Sequence, residues 1–461
     1  MSSDARLLHP AGAEAPAKPF GATLARRFRA VFLTSTLNLL LVCFPAAILA
    51  RGFGLDDAIV FVLSLLAICP MAERLGFLTE AIADHTSPAV GGLLNASFGN
   101  LTELIVSVCA MRQNLLRVVQ LSLLGSIFGN LMLVLGCALL AGGLVKKHQT
   151  FHAQAASVHV GLIALGVLAL ALPAALAATG TETETNGASE LALSRYAAAC
   201  LLGTYAALLV FQLKSHADMF DEDETIREDA NDPESLDPGS LSRGGSLSRG
   251  GSSPALLAAF SSSAAEDERS VASLAPSVES DGESLGGVAW CSLWLSLFTA
   301  AVSLMSMYVV DTIDDAAERY SLPGAFIATV VLPVVGNAAE HAAAVMFAVD
   351  DRLDLAIAVA VGSATQIITF VLPLMVVVGW VLGVPMDMNL EPYETATTAL
   401  VVAFVGFILH DGKSTWLKGA VLLVAYALVA GSFFTHKDNA LAGGNGHDAG
   451  DHARVPPSSG Y

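Results

Sequence analysis

The sequence predicts an all-α polytopic membrane protein with eleven transmembrane helices: one extra N-terminal helix plus two inverted five-helix repeats. Three observations predict it. Of 461 residues, 54% are hydrophobic and only 14% charged, against about 25% charged in ordinary soluble chains. The apolar residues gather into runs long enough to cross a bilayer. One short motif occurs twice, at a fixed offset, inside two of those runs.

Crossing the hydrocarbon core takes about 20 apolar residues in a helix. Runs of that kind lie near residues 30–50, 57–72, 88–111, 118–144, 156–179, 191–213, 287–310, 323–349, 354–383, 394–410 and 415–435. The second is short and ends in charge at Glu73 and Arg74. Residues 1–29 form a polar, basic, Pro/Ala-rich tail, expected to be cytoplasmic. The first apolar run is too long for a signal-peptide core. Residues 30–55 hold the extra helix and its loop, 56–213 the first repeat, 287–435 the second, and 436–461 a C-terminal tail. All six cysteines lie in apolar runs, with no C-x-x-C pair, and read as small hydrophobes.

Loop charge gives the orientation. Arg26, Arg27 and Arg29 precede the first span, Lys146 and Lys147 follow the fourth, and Lys413 and Lys418 lie between the tenth and eleventh. With eleven spans all three sites share one side, which the positive-inside rule makes cytoplasmic. The opposite loops, Thr181 to Glu190 and Asp311 to Glu318, are acidic. Arg112 and Arg117 break the pattern.

Residues 214–286 separate the halves. Asp218 to Asp237 contains ten acidic residues and one base, Arg227, and is followed by a tandem SLSRGG repeat and Ser-rich sequence. Such a composition cannot bury enough apolar area to fold alone. A net charge of −19 argues against nucleic acid as a partner, because a phosphate backbone calls for a basic face.

The repeated motif is G-N-x-x-E. It reads Gly99-Asn100-Leu101-Thr102-Glu103 in the third span and Gly336-Asn337-Ala338-Ala339-Glu340 in the eighth, 237 residues on (340 minus 103). Gly125-Ser126 and Gly362-Ser363 keep the same offset. Five spans separate the motifs, and an odd number reverses direction, so the two copies enter the membrane from opposite sides. That is the inverted-repeat plan of secondary transporters, whose site lies near the midplane.

An ionised carboxylate at the bilayer centre costs about 2.5–3.5 kcal/mol on insertion scales, and neither motif span carries a Lys or Arg to neutralise it. Glu103 and Glu340 are therefore the candidate transport carboxylates and metal ligands. Two facing carboxylates in low dielectric resist joint ionisation. A divalent cation cancels both charges, and so do protons, so the two compete and metal entry releases protons. The surrounding groups are oxygen donors. Ser122, Ser126 and Asn130, spaced by four, share one helix face, as do Ser363 and Gln366; Asn100 and Asn337 precede their glutamates by three, and Gly99 and Gly336 stand beside them. Gln120 and His341 are further candidates. Hard oxygen ligands suit Ca2+, or Mn2+. No resident cofactor is expected, only transported Ca2+ and H+ within a lipid bilayer, and a homo-oligomer is compatible with the sequence.

Long strings carry a family resemblance: MAERLGFLTEAIADHTSPAVGGLLNASFGNLTELIVSV, VVQLSLLGSIFGNLMLVLGCALLAGG, and VVGNAAEHAAAVMFA followed by VGSATQI. They resemble the Ca2+/cation–proton exchanger family of the cation/Ca2+ exchanger superfamily, over roughly residues 57 to 435. The resemblance implies ten core helices in two inverted halves plus an N-terminal helix. Glu103 and Glu340 would be the essential carboxylates, and Ser126, Asn130, Ser363 and Gln366 would line the site. It also implies an acidic Ca2+-gathering helix, matched here by Asp218 to Glu224, with Asp221, Glu222, Asp223 and Glu224 as regulatory Ca2+ ligands. The membrane would be vacuolar or that of another acidic organelle. A Na+-coupled Ca2+ exchanger of the same superfamily is the nearest alternative; it calls for a further acid in the ninth span, where Thr365 and Gln366 stand. An intramembrane aspartyl protease is disfavoured, because neither motif span carries an Asp in its core.

Overall fold

The computed structural model describes residues 35–83, 98–180, 188–216 and 287–436, with isolated positions at 28–29, 31–32, 85–86 and 94. The first half comprises α1 (Thr36–Gly52), α2 (Asp57–Ala83), α3 (Leu101–Arg112), α4 (Leu116–Val145), α5 (Ala153–Thr179) and α6 (Ala188–Ser215). The second comprises α7 (Val288–Asp311), α8 (Ile313–Tyr320), α9 (Gly324–Gly336), α10 (Ala338–Val349), α11 (Leu353–Leu382), α12 (Pro392–Leu409) and α13 (Trp416–Thr435). Two-residue strands, β1 (Gln149–Thr150) and β2 (Lys413–Ser414), pair antiparallel and tie the loop after α4 to the loop after α12.

Among the described residues, eight helices are long and apolar enough to span a membrane, or nine if α8 and α9, bent by 115°, count as one span. The described residues thus hold eight or nine of the eleven expected spans at full length. Within the described residues the third span contributes α3 from Leu101, the eighth is divided between α9 and α10, and α1 is short. α2 departs from expectation in the other direction: it continues past Glu73 and Arg74 to Ala83. Arg74 is buried there, its guanidinium donating to the Glu73 carboxylate at 2.7 Å and the Val31 carbonyl at 3.2 Å. Pairing removes the charge that reads as a stop. The acidic Asp311–Glu318 segment, expected as a loop, is mostly α8, which lays Ile313 and Ala316 inward and Asp314 and Asp315 outward.

The 237-residue offset recurs in the backbone. α3 and α10 start and end in register, as do α4 and α11. Both long helices carry a π turn at matching positions, Gly129–Val134 and Ile367–Val371. A π turn inserts a residue and loosens the carbonyl ladder, and such turns concentrate at functional sites.

α4 is central, 83% buried over its apolar window, whereas α13 is peripheral at 17%. In lipid no hydrophobic force drives helices together, so close backbone packing does. A Cβ at Gly125 of α4 would lie 2.0 Å from the Thr329 carbonyl oxygen of α9, so only glycine admits that contact. Gly419 of α13 is equally constrained, 2.2 Å from the Leu140 nitrogen of α4. Outward-facing Phe53, Val381 and Phe407 stay exposed, as suits an acyl-chain boundary.

Candidate cation site

The site is built where two helices start. Asn100 and Asn337 adopt non-helical backbone angles (φ −106°, ψ 31° and φ −92°, ψ 18°) and stand immediately before α3 and α10. Glu103 and Glu340 therefore fall in first turns, where N–H groups lack intrahelical partners and the helix dipole is positive. The same spacing explains the motif: the asparagine stands just before the helix, and the glutamate three residues later falls in its first turn, with Asn337 also closing α9.

The halves interlock at these breaks. Asn130 of α4 donates from Nδ2 to Ser363 Oγ at 2.9 Å; Ser363 Oγ donates to Asn100 Oδ1 at 3.2 Å; Asn100 Nδ2 donates to Gln366 Oε1 at 2.6 Å. Four polar side chains, two from each half, thus form one directed chain. Gly336 of the second motif abuts the first glutamate, its Cβ position 4.0 Å from Glu103 Oε1. Thr102, Glu103, Ser122, Ser126 and Gly336 line a common cavity, and Glu340 follows Gly336 by four residues, in the first turn of α10.

Oxygen atoms remain unspent beside this chain. Asn130 Oδ1, Asn337 Oδ1 and Glu340 Oε2 are buried without a hydrogen-bond partner. Each buried unpaired polar atom costs about 1–3 kcal/mol, a penalty a cation would relieve by accepting those lone pairs. The pseudo-symmetry fails here for a legible reason. Gln366 satisfies Asn100, but the position 237 residues before Gln366 is Gly129, which offers Asn337 Nδ2 only a van der Waals approach of 3.8 Å.

The other sequence-predicted residues fall as follows. Ser122 lines the cavity while its hydroxyl donates to the Val119 carbonyl. His341 donates from Nδ1 to the Asn337 carbonyl at 2.6 Å, leaving Nε2 without a partner. Gly99 is exposed. Gln120 is engaged outside the polar chain: it accepts from Arg117 and donates to Asp387 at 2.8 Å. Arg117 in turn pairs with the wholly buried Glu394, and burial raises the Asp387 carboxyl above the ordinary range. Asp221, Glu222, Asp223 and Glu224 lie outside the described residues. Sequence reasoning missed the buried His159 and its contact with Thr365; the signal was a lone histidine in an otherwise apolar run.

Fold and site together define a many-helix membrane protein of two repeated halves whose polar side chains interlock at the first motif. Residues 57–214 and 290–435 match the sodium/calcium exchanger protein family, and the chain belongs to that family. It is 43% identical over 410 residues to vacuolar cation/proton exchanger 2 of Arabidopsis thaliana, covering 88% of this chain and 83% of that one. It is 41% identical over 418 residues to vacuolar cation/proton exchanger 3 of Oryza sativa subsp. japonica, covering 90% and 89%. The solved structure of native YfkE aligns with a TM-score of 0.65 at 26% identity, over 87% of this chain and all of that one. An H+/Ca2+ exchanger, CAX, shares the fold alone, at a TM-score of 0.56 and 11% identity, over 90% and 93%.

Proposed function

We propose that this protein is a secondary active antiporter exchanging Ca2+ for H+ across a vacuolar or other acidic-organelle membrane. One observation carries the reading: both motif glutamates sit in first turns at a polar junction to which each half contributes. Either two protons or one divalent cation neutralises the pair, so the site crosses the low-dielectric interior in either loaded form and unloaded only at high cost. The unspent oxygens of Asn130, Asn337 and Glu340 are hard donors of the kind Ca2+ takes, and Mn2+ is an alternative cargo of the same chemistry.

Eleven crossings fit the proposal, with α3 in the third crossing and α9 with α10 as a broken eighth. The N-terminus is then cytoplasmic and the repeats are inverted. Both half-motifs come from one chain, so one copy suffices for the site, and homo-oligomerisation would leave it intact. The relatives are named cation/proton exchangers, which favours proton coupling over sodium coupling. The test is radiolabelled Ca2+ uptake into proteoliposomes under an imposed pH gradient without Na+, with Mn2+ as competitor. Uptake that requires Na+ and ignores the pH gradient would refute the reading.

A further inference from the structure

α5 carries a buried histidine, His159, 7% exposed and about 9 Å along the helix from its start. The second half has no equivalent, since the residue 237 positions on is Ala396. A polar ring inside a membrane helix is expensive and marks function by default.

Its hydrogen bonds fix its chemical form. Thr365 Oγ1 donates its only hydrogen to the Val361 carbonyl at 2.7 Å, so toward His159 it can only accept. His159 Nδ1, 3.1 Å away, is therefore the donor. Nε2 then carries a lone pair and faces the Gln212 side-chain nitrogen of α6 at 3.4 Å. The neutral imidazole bridges α6 and α11.

Thr365 lies between Ser363 and Gln366, the two α11 residues that hold Asn100, and two residues before the π turn Ile367–Val371. Thr369 donates back to the Thr365 carbonyl at 2.6 Å, closing that loosened turn. A π turn can migrate along a helix and rotate the side chains before it, so something must set its register. We propose that His159 is a positioning residue for the cation site: through Thr365 it fixes the rotation of α11 that aims Ser363 and Gln366 at Asn100. This rests on the reading of that polar junction as the cation site.

The experiment measures KM for Ca2+ and maximal rate in proteoliposomes for His159→Asn, His159→Gln, His159→Leu and Thr365→Val. An asparagine amide nitrogen superposes on Nδ1 and keeps the donor to Thr365; a glutamine amide nitrogen superposes on Nε2 and does not. The Leu, Gln and Thr365→Val variants should raise KM by about three- to tenfold, the range that loss of one intramembrane hydrogen bond spans, with maximal rate changed less than about twofold. The Asn variant should stay within about 1.5-fold of the parent KM, and His159→Leu with Thr365→Val should be no worse than either alone. Equal impairment of Asn and Leu, or unchanged KM in Thr365→Val, would overturn the proposal; Thr365→Val preserves shape, so it answers even if His159→Leu fails to fold. Glu103→Gln and Glu340→Gln, assayed alongside, test the cation-site reading separately: transport by those variants would sink that reading whatever His159 does.

Discussion

At Glu103 and Glu340 the carboxylate stands in the first turn of a helix, where backbone N–H groups and the dipole favour negative charge. Replacing either by Gln keeps the shape and removes the titration. Each variant should reach the membrane at normal level yet show background Ca2+ uptake; normal exchange by either would remove it from the transport pair. Asn100 and Gln366 share one hydrogen bond across the two halves. Asn100→Ala and Gln366→Ala should each weaken Ca2+ affinity by roughly 1–2 kcal/mol. The double variant should lose no more than the worse single, because each removes the same contact. A KM series on the four proteins reads this directly.

Among the elements, α4 and α11 are sequence mates with unequal surroundings. A methyl at Gly125 would meet backbone 2.0 Å away, whereas a methyl at Gly362 would meet nothing within 4 Å. Backbone cannot yield as a side-chain tip can, so Gly125→Ala must separate α4 from α9. Its thermal midpoint in detergent should fall by several degrees, while Gly362→Ala stays near the parent. Equal midpoints would mean that α9 shifts freely. This inequality was not readable in sequence, where the two Gly-Ser pairs are identical. The existence of the two helices, their lengths and their motif faces were readable, because apolar run length and i, i+3, i+4 spacing are local properties.

Over the whole molecule, charge placement separates ends from interior. Arg117 breaks the loop-charge pattern, and the structure shows that it is paired with the buried Glu394. Removing one partner of such a pair leaves an uncompensated buried charge, costing about 3–5 kcal/mol. Arg117→Met should therefore destabilise markedly, and adding Glu394→Leu should restore much of the loss in a thermal-melt comparison. At the loop beside β1, Lys146 hydrogen-bonds the exposed Asp351 and holds its carboxyl below the ordinary range. A depressed folded-state value contributes stability above the unfolded value near 3.8, and that contribution fades as pH falls through the folded one. Lys146→Met should cost little at pH 7, since the pair is solvent-screened, and the gap from the parent should close below about pH 4. A gap constant down to pH 3 would assign the effect to packing instead.

By itself the sequence determined that the chain is a helical membrane protein of two repeated halves, with Glu103 and Glu340 as the acids of its repeated motif. Apolar run length, motif offset and the cost of charge in hydrocarbon are all properties of residues in order. Only the tertiary structure decided that the Asn100 side chain is bonded by Ser363 and Gln366 while that of Asn337 is left open, that Gln120 serves Arg117 and Asp387, and that Arg74 continues a helix it should have ended. Those outcomes depend on which side chain arrives opposite which across hundreds of residues. Hydrogen bonds and ion pairs are satisfied in space, and a linear pattern lists the groups without pairing them.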